Sequence, residues 1–126
     1  MPNRVPFIVS VSIAFGLGLA AACGDVTNSR VIARDQATTV SCDWYQTCGK
    51  IGTAQGSTYP DRNTCETQVR AQWDSAWPSA MCDSKINQSQ LTICLNAIMG
   101  TECMNGLDIL NTLVNKCPQA SICSGP

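Results

Sequence analysis

Apolar positions follow two regimes along this chain. From Phe7 to Ala22 they form a charge-free stretch, ending in the small residues Gly18, Ala20, Ala21 and Ala22. From about residue 31 onward they recur at helical spacing. Ala33, Ala37, Val40, Trp44 and Cys48 fall on one face and predict a first helix over about Val31–Cys48, ended by Gly49 and Gly52. The β-branched trio Thr38-Thr39-Val40 is the weak point of that helix. A Gly/Ser/Thr-rich loop then runs to Pro60. Asp61 is the expected N-cap of a second helix carrying Cys65, Val69, Trp73 and Trp77 inward, stopped by Pro78. Glu66, Arg70 and Asp74 form an i,i+4 charge ladder on another of its faces. Asn87 and Gln90 resemble a capping box ahead of Leu91, Cys94, Leu95, Ile98 and Met99, with Gly100 at the end. A fourth helix is expected from about Asn105 to Cys117, with Leu107, Leu110, Val114 and Cys117 inward and Pro118 beyond. No convincing period-two strand is present. The expected fold is all-α, a small domain of about four helices over residues 31–126.

The apolar N-terminal stretch belongs to targeting rather than to the fold. Arg4 is the single charge ahead of it, and its length suits a secretory signal sequence better than a membrane span. It closes in Leu19-Ala20-Ala21-Ala22-Cys23-Gly24, which resembles a bacterial lipobox, although Leu stands one position early. Residues 1–22 then read as a lipoprotein signal peptide, and Cys23 as the lipidation site bearing diacylglyceryl and palmitate-type chains. The alternative, plain secretion, uses Ala20-x-Ala22 as an A-x-A site and cuts the same bond. Residues 23–30 form the lipidated Cys and a short polar tether, which holds the domain close to the bilayer. Gly24, rather than Asp, follows the acylated Cys, which favours the outer membrane.

Cysteine parity supports this division. The chain has nine Cys. Setting aside Cys23 leaves Cys42, Cys48, Cys65, Cys82, Cys94, Cys103, Cys117 and Cys123, the even set that a disulfide framework requires. Spacing does not choose among the many connectivities. Local arguments suggest Cys48–Cys65 across a helical hairpin, Cys94–Cys103 and Cys117–Cys123 as local pairs, and Cys42–Cys82 by elimination. No Cys-x2-Cys pair and no His are present, so zinc and dithiol redox motifs are not expected, and no metal or other cofactor is expected.

Composition removes further chemistry. Without His there is no Ser-His-Asp or Cys-His arrangement and no His pH switch. The carboxylates do not pair into an acid–base site, and no nucleophile elbow or phosphate-cradling Gly loop occurs. A net charge of −1 gives no basis for nucleic-acid binding. Asn87-Gln88-Ser89 fits a glycosylation triplet but reads more simply as a helix cap. The expectation is not an enzyme. Trp73 and Trp77, at i,i+4, are candidate ligand-facing residues, a platform for sugar or peptide. The competing reading, core packing, is favoured because large aromatics supply much of a small domain's burial.

The segments Cys42-Asp-Trp-Tyr-Gln-Thr-Cys48-Gly-Lys-Ile-Gly52, Tyr59-Pro-Asp-Arg-Asn-Thr-Cys65-Glu-Thr-Gln-Val-Arg-Ala-Gln-Trp73 and Ile93-Cys94-Leu-Asn-Ala-Ile98, with the lipobox and the last Cys trio, resemble a family of small eight-cysteine bacterial lipoproteins. Their domain has no assigned function, and their label, natural-product-biosynthesis lipoproteins, rests on gene neighbourhood. The resemblance implies lipid anchoring, a helical eight-Cys domain and an envelope location facing the periplasm or the cell exterior. It brings no catalytic residue. The function expected is a lipid-anchored binding or scaffolding module whose partners are the membrane, through the N-terminal lipid, and another envelope protein. One alternative is a carrier for a hydrophobic metabolite, with a pocket lined by Trp73, Trp77, Leu95 and Ile98. The other is a small secreted inhibitor using a rigid, exposed loop between Gly49 and Pro60.

Overall fold

The computed structural model describes residues 30–126. The expectations placed on the signal peptide, Cys23 and the tether up to residue 29 lie outside the described residues. Six helices follow in order: α1 (Arg30–Thr47), α2 (Arg62–Ala76), α3 (Ser79–Cys82), α4 (Gln88–Met99), α5 (Ile109–Asn115) and α6 (Gln119–Ile122). Among the described residues there is no strand, only an isolated bridge between Ile51 and Tyr59. The domain is all-α and stapled by four disulfides.

The caps that local chemistry predicts are in place. The Asp61 carboxylate accepts the Thr64 backbone N–H at 2.7 Å and opens α2. Asn87 Oδ1 accepts the Gln90 N–H at 3.0 Å and opens α4, which closes at Gly100. Helix α1 runs through its β-branched trio. The Thr38 hydroxyl donates to the Arg34 carbonyl at 2.9 Å, so this buried polar side chain is satisfied within the helix.

Helices α1 and α2 form an antiparallel pair, and α4 packs on the other flank of α1. The core runs between them and contains Val69, Trp73, Trp77, Ile86, Leu91, Ile98, Leu113 and Ile122, none more than 1% exposed. The buried face of α1 is broader than a four-residue stripe, because Thr38, Ser41, Cys42 and Tyr45 are buried along with Ala33, Ala37 and Trp44. An α1 flanked on two sides needs that width.

The fourth expected helix runs from Ile109 to Asn115, not from near Asn105 to Cys117; it buries Ile109 and Leu113, and Cys117 is buried in the turn just beyond it. Leu107 is fully exposed, and Leu110 and Val114 are half-buried. Two overlapping stripes are written into this segment, and the later start selects the second. Gly106, at φ 140°, breaks the backbone just before it. The charge ladder on α2 also works differently. Two of its three members reach across to α1: Asp74 pairs with Arg30 and Arg34 at 2.8 and 3.1 Å, and Arg70 with Asp35 at 3.3 Å, while Glu66 pairs along α2. Glu66 pairs with Arg62 at 2.7 Å, and Arg62 also reaches Asp43.

All eight cysteines of the domain are paired, but none of the expected pairs forms. The bonds are Cys42–Cys65, Cys48–Cys103, Cys82–Cys123 and Cys94–Cys117. The loop after α1 folds back on the helix end, with Lys50 N–H bonding the Tyr45 carbonyl at 2.7 Å. Helix α2 therefore begins beside the body of α1, where Arg62 reaches Asp43 and the Thr39 carbonyl. That register sets Cys65 opposite Cys42, with Cα atoms 6.1 Å apart, and leaves Cys48 for the segment that crosses the end of α1. At the other end of the domain, Asn87 N–H bonds the Ile122 carbonyl and Gly125 N–H bonds the Lys85 carbonyl. This brings Cys123 to Cys82.

Candidate functional site

The two tryptophans singled out as ligand-facing are not on the surface. Trp73 and Trp77 are both 0% exposed, with ring centroids 4.6 Å apart. Their indole N–H groups are used inside the fold, from Trp73 to Ser41 Oγ at 3.3 Å and from Trp77 to the Cys117 carbonyl at 3.2 Å. Ile98 is buried with them. The expected pocket lined by Trp73, Trp77, Leu95 and Ile98 is therefore filled core, and these side chains offer no platform to a ligand. The physical reason is that the i,i+4 spacing puts both on the one face that α2 turns to the core, where the Trp73 indole meets α1 and that of Trp77, at the helix C-cap, meets the disulfide-linked C-terminal turn.

Leu95 lies apart from that group. It is half-buried on the outer seam between α1 and α4, where Ile32, Val40 and Leu95 form the apolar floor of a surface trough walled by Asp35, Gln36 and Thr39. At Val40 the trough meets a second depression, lined by Asp43, Trp44, Thr47, Cys48, Met99, Thr101 and Cys103. Met99 is 58% exposed beside it. The seam is thus one continuous, largely apolar strip along the outside of two rigid helices. Spacing in α4 pointed to Leu95 and Met99 as core. Their place at the edge of that stripe was the signal that they could serve a surface.

Charge on this face is already paired. Asp35 bonds Arg34 at 2.8 Å and Arg70 at 3.3 Å, and Asp43 bonds Arg62 at 2.7 Å. Asp74 is pushed up by partial burial, but hydrogen bonds from Arg30 and Arg34 outweigh this and hold its carboxyl below the ordinary value. These are features of a clamp between helices, not of acid–base chemistry. The two phenols, Tyr45 and Tyr59, sit edge to face at 4.9 Å, and burial raises both. No group of three or more His, Cys, Asp or Glu that could hold a metal occurs among the described residues.

The loop between Gly49 and Pro60 is exposed at its tip and tightly framed. Gly52 N–H bonds the Tyr59 carbonyl, and Thr58 and Tyr59 N–H both bond the Lys50 carbonyl. The tip itself is a turn closed from Ser57 N–H to the Ala54 carbonyl at 3.1 Å, with Gly56 at φ 89°. Disulfides at Cys48 and at Cys65 stand on either side of it.

Residues 42–125 match a family described as a family of unknown function, DUF6184. The match begins at the first domain cysteine and runs past the last, so it spans all four disulfides. No curated protein and no solved structure matches the chain.

Proposed function

We propose that this chain, which belongs to the DUF6184 family of unknown function, is a lipid-anchored lipoprotein of the bacterial envelope. In this reading it docks another envelope protein along the outer α1/α4 seam. One observation carries the anchoring: the eight domain cysteines pair among themselves, so no domain cysteine remains to pair with Cys23. An extracytoplasmic Cys placed after Leu-Ala-Ala-Ala has its natural use as the acylated N-terminus. Four disulfides fit an oxidising compartment, and two or three acyl chains hold firmly where one does not. The docking part is supported by the apolar strip on rigid, stapled helices, with the large aromatics spent on the core. The natural-product label of the lipoproteins it resembles adds an association with secondary metabolism.

Detergent phase partitioning tests the anchor. The wild type is expected in the detergent phase, and Cys23→Ala in the aqueous phase. A wild type that partitions as the variant does would end the lipoprotein reading. Site-specific photo-crosslinking in cells tests the docking face. Crosslinkers at Val40 and Leu95 should give a discrete adduct that a crosslinker at Gln55 does not, and no adduct at either seam position would count against the seam.

A second reading, a protease inhibitor, rests on the rigid frame of the 49–60 loop. It ranks lower because the tip is a closed turn rather than the extended segment that a protease cleft binds. Failure to slow any protease in a broad panel would remove it.

A further inference from the structure

The four disulfides are not equally placed. Cys42 and Cys65 are both 0% exposed, Cys94 and Cys117 are each 1% exposed, and Cys82 is fully buried against a half-buried Cys123. Cys48–Cys103 differs from all of these. Cys48 is half-buried, and Cys103 is the one exposed cysteine of the eight. Cys103 also lies in the irregular strap that joins α4 to α5 across the end of α1. Among the described residues, Glu102–Leu107 make no backbone–backbone hydrogen bond. Beyond the disulfide, the strap is held at its root by Trp44 Nε1 donating to the Thr101 carbonyl at 2.8 Å. Farther along, Met104 is half-buried and the Lys50 ammonium contacts Asn105 Oδ1. Under the strap lies the depression with Trp44, Val40 and Met99.

We propose that Cys48–Cys103 is a thiol-exchange site that a dithiol reductant opens in the folded protein, releasing the strap and uncovering Trp44. Access governs which sulfur is attacked and how fast. A reductant thiolate attacks Cys103 Sγ. The Cys48–Cys103 bond breaks, its electron pair leaves with Cys48 Sγ, and that sulfur takes up a proton. The reductant's second thiol gives up its proton and attacks the reductant sulfur of the mixed disulfide; the bond to Cys103 Sγ breaks, Cys103 leaves as a thiolate that takes up a proton, and the reductant departs as its own disulfide. Two electrons pass to the protein, and the reductant is oxidised by two. The other three bonds stay closed because their sulfurs are reached only when the core opens. This site does not depend on the lipid anchor or on the docking partner.

The test is timed reduction of the full chain with dithiothreitol at neutral pH, followed by acid quench, alkylation and peptide mapping. Cys48 and Cys103 should become alkylated about tenfold or more faster than the other six domain cysteines. Acrylamide quenching of tryptophan should rise in step while helical circular dichroism stays constant, and Trp44→Phe should abolish that rise. Simultaneous appearance of all eight thiols, or earlier opening of a buried pair, would overturn the proposal. A double variant, Cys48→Ser with Cys103→Ser, should keep its helical signal and show the higher quenching without any reductant. Unchanged quenching, or loss of the helical signal, would overturn it as well, since the fold must survive the opening.

Discussion

Removing a disulfide sets loop entropy against burial, and two pairs in this domain weigh the two effects differently. Cys48–Cys103 closes a separation of 55 residues, and Cys42–Cys65 one of 23. On chain entropy alone the first contributes about 4.2 kcal/mol and the second about 3.4 kcal/mol, a difference of about 0.8 kcal/mol in favour of the longer loop. Burial acts in the opposite direction. Both sulfurs of Cys42–Cys65 are sealed between α1 and α2, and deleting each costs about 1 kcal/mol in lost contacts and cavity, by comparison with a buried methylene. Cys103 is exposed and leaves no sealed cavity. The double variant Cys42→Ala with Cys65→Ala should therefore lose about 5 kcal/mol, and Cys48→Ala with Cys103→Ala about 4 kcal/mol. Urea unfolding followed by circular dichroism measures both, with equal slopes required for the comparison. If the Cys48–Cys103 variant is instead the less stable, by about the 0.8 kcal/mol that chain entropy alone gives, loop length governs here and the burial reasoning is wrong.

Other consequences can be measured on the same material. Asp74 is held below its ordinary value in the fold, so its contribution is present at neutral pH and is lost as pH falls through and below the ordinary carboxylate range. Because the carboxylate is 40% exposed, Asp74→Asn should cost only about 0.5–1 kcal/mol at pH 7, and the gap to wild type should close in acid. A gap that widens in acid would contradict the assignment. Tyr45 and Tyr59 are both raised mainly by burial, so phenolate absorbance of the folded protein should rise later than the ordinary value of 10.0, and later than in the urea-unfolded chain. A normal titration of either would show that its ring is wet. Trp77→Phe removes the bond to the Cys117 carbonyl along with part of a sealed ring, and should cost about 2–3 kcal/mol by thermal or urea unfolding. A loss under about 0.5 kcal/mol would mean that this core is looser than described.

How much of this was legible in the sequence depended on range. Asp61 and Asn87 cap helices through bonds to residues three positions on, so their role is written locally. The stripe Cys65, Val69, Trp73, Trp77 was equally plain, because every fourth residue of a short helix faces one core. Pairing was not legible, because it depends on the offset between α1 and α2. That offset is set by a loop that folds back through the Lys50 carbonyl, and no spacing of cysteines encodes it. Likewise, Glu66, Arg70 and Asp74 carry the same spacing whether they pair along α2 or across to α1. The start of α5 chose between two apolar stripes of similar quality. For the candidate site, the sequence marked Leu95 but placed it beside Trp73 and Trp77, whereas α4 turns it to the seam with Val40 and Ile32.

Intact mass decides whether this protein is a lipid-anchored module closed by four internal disulfides. The protein extracted from membranes would be weighed before reduction and again after reduction with alkylation. The expected chain starts at an acylated Cys23 and takes up alkyl groups at the eight domain cysteines only after reduction. An unacylated chain, or thiols that react before reduction, would contradict it.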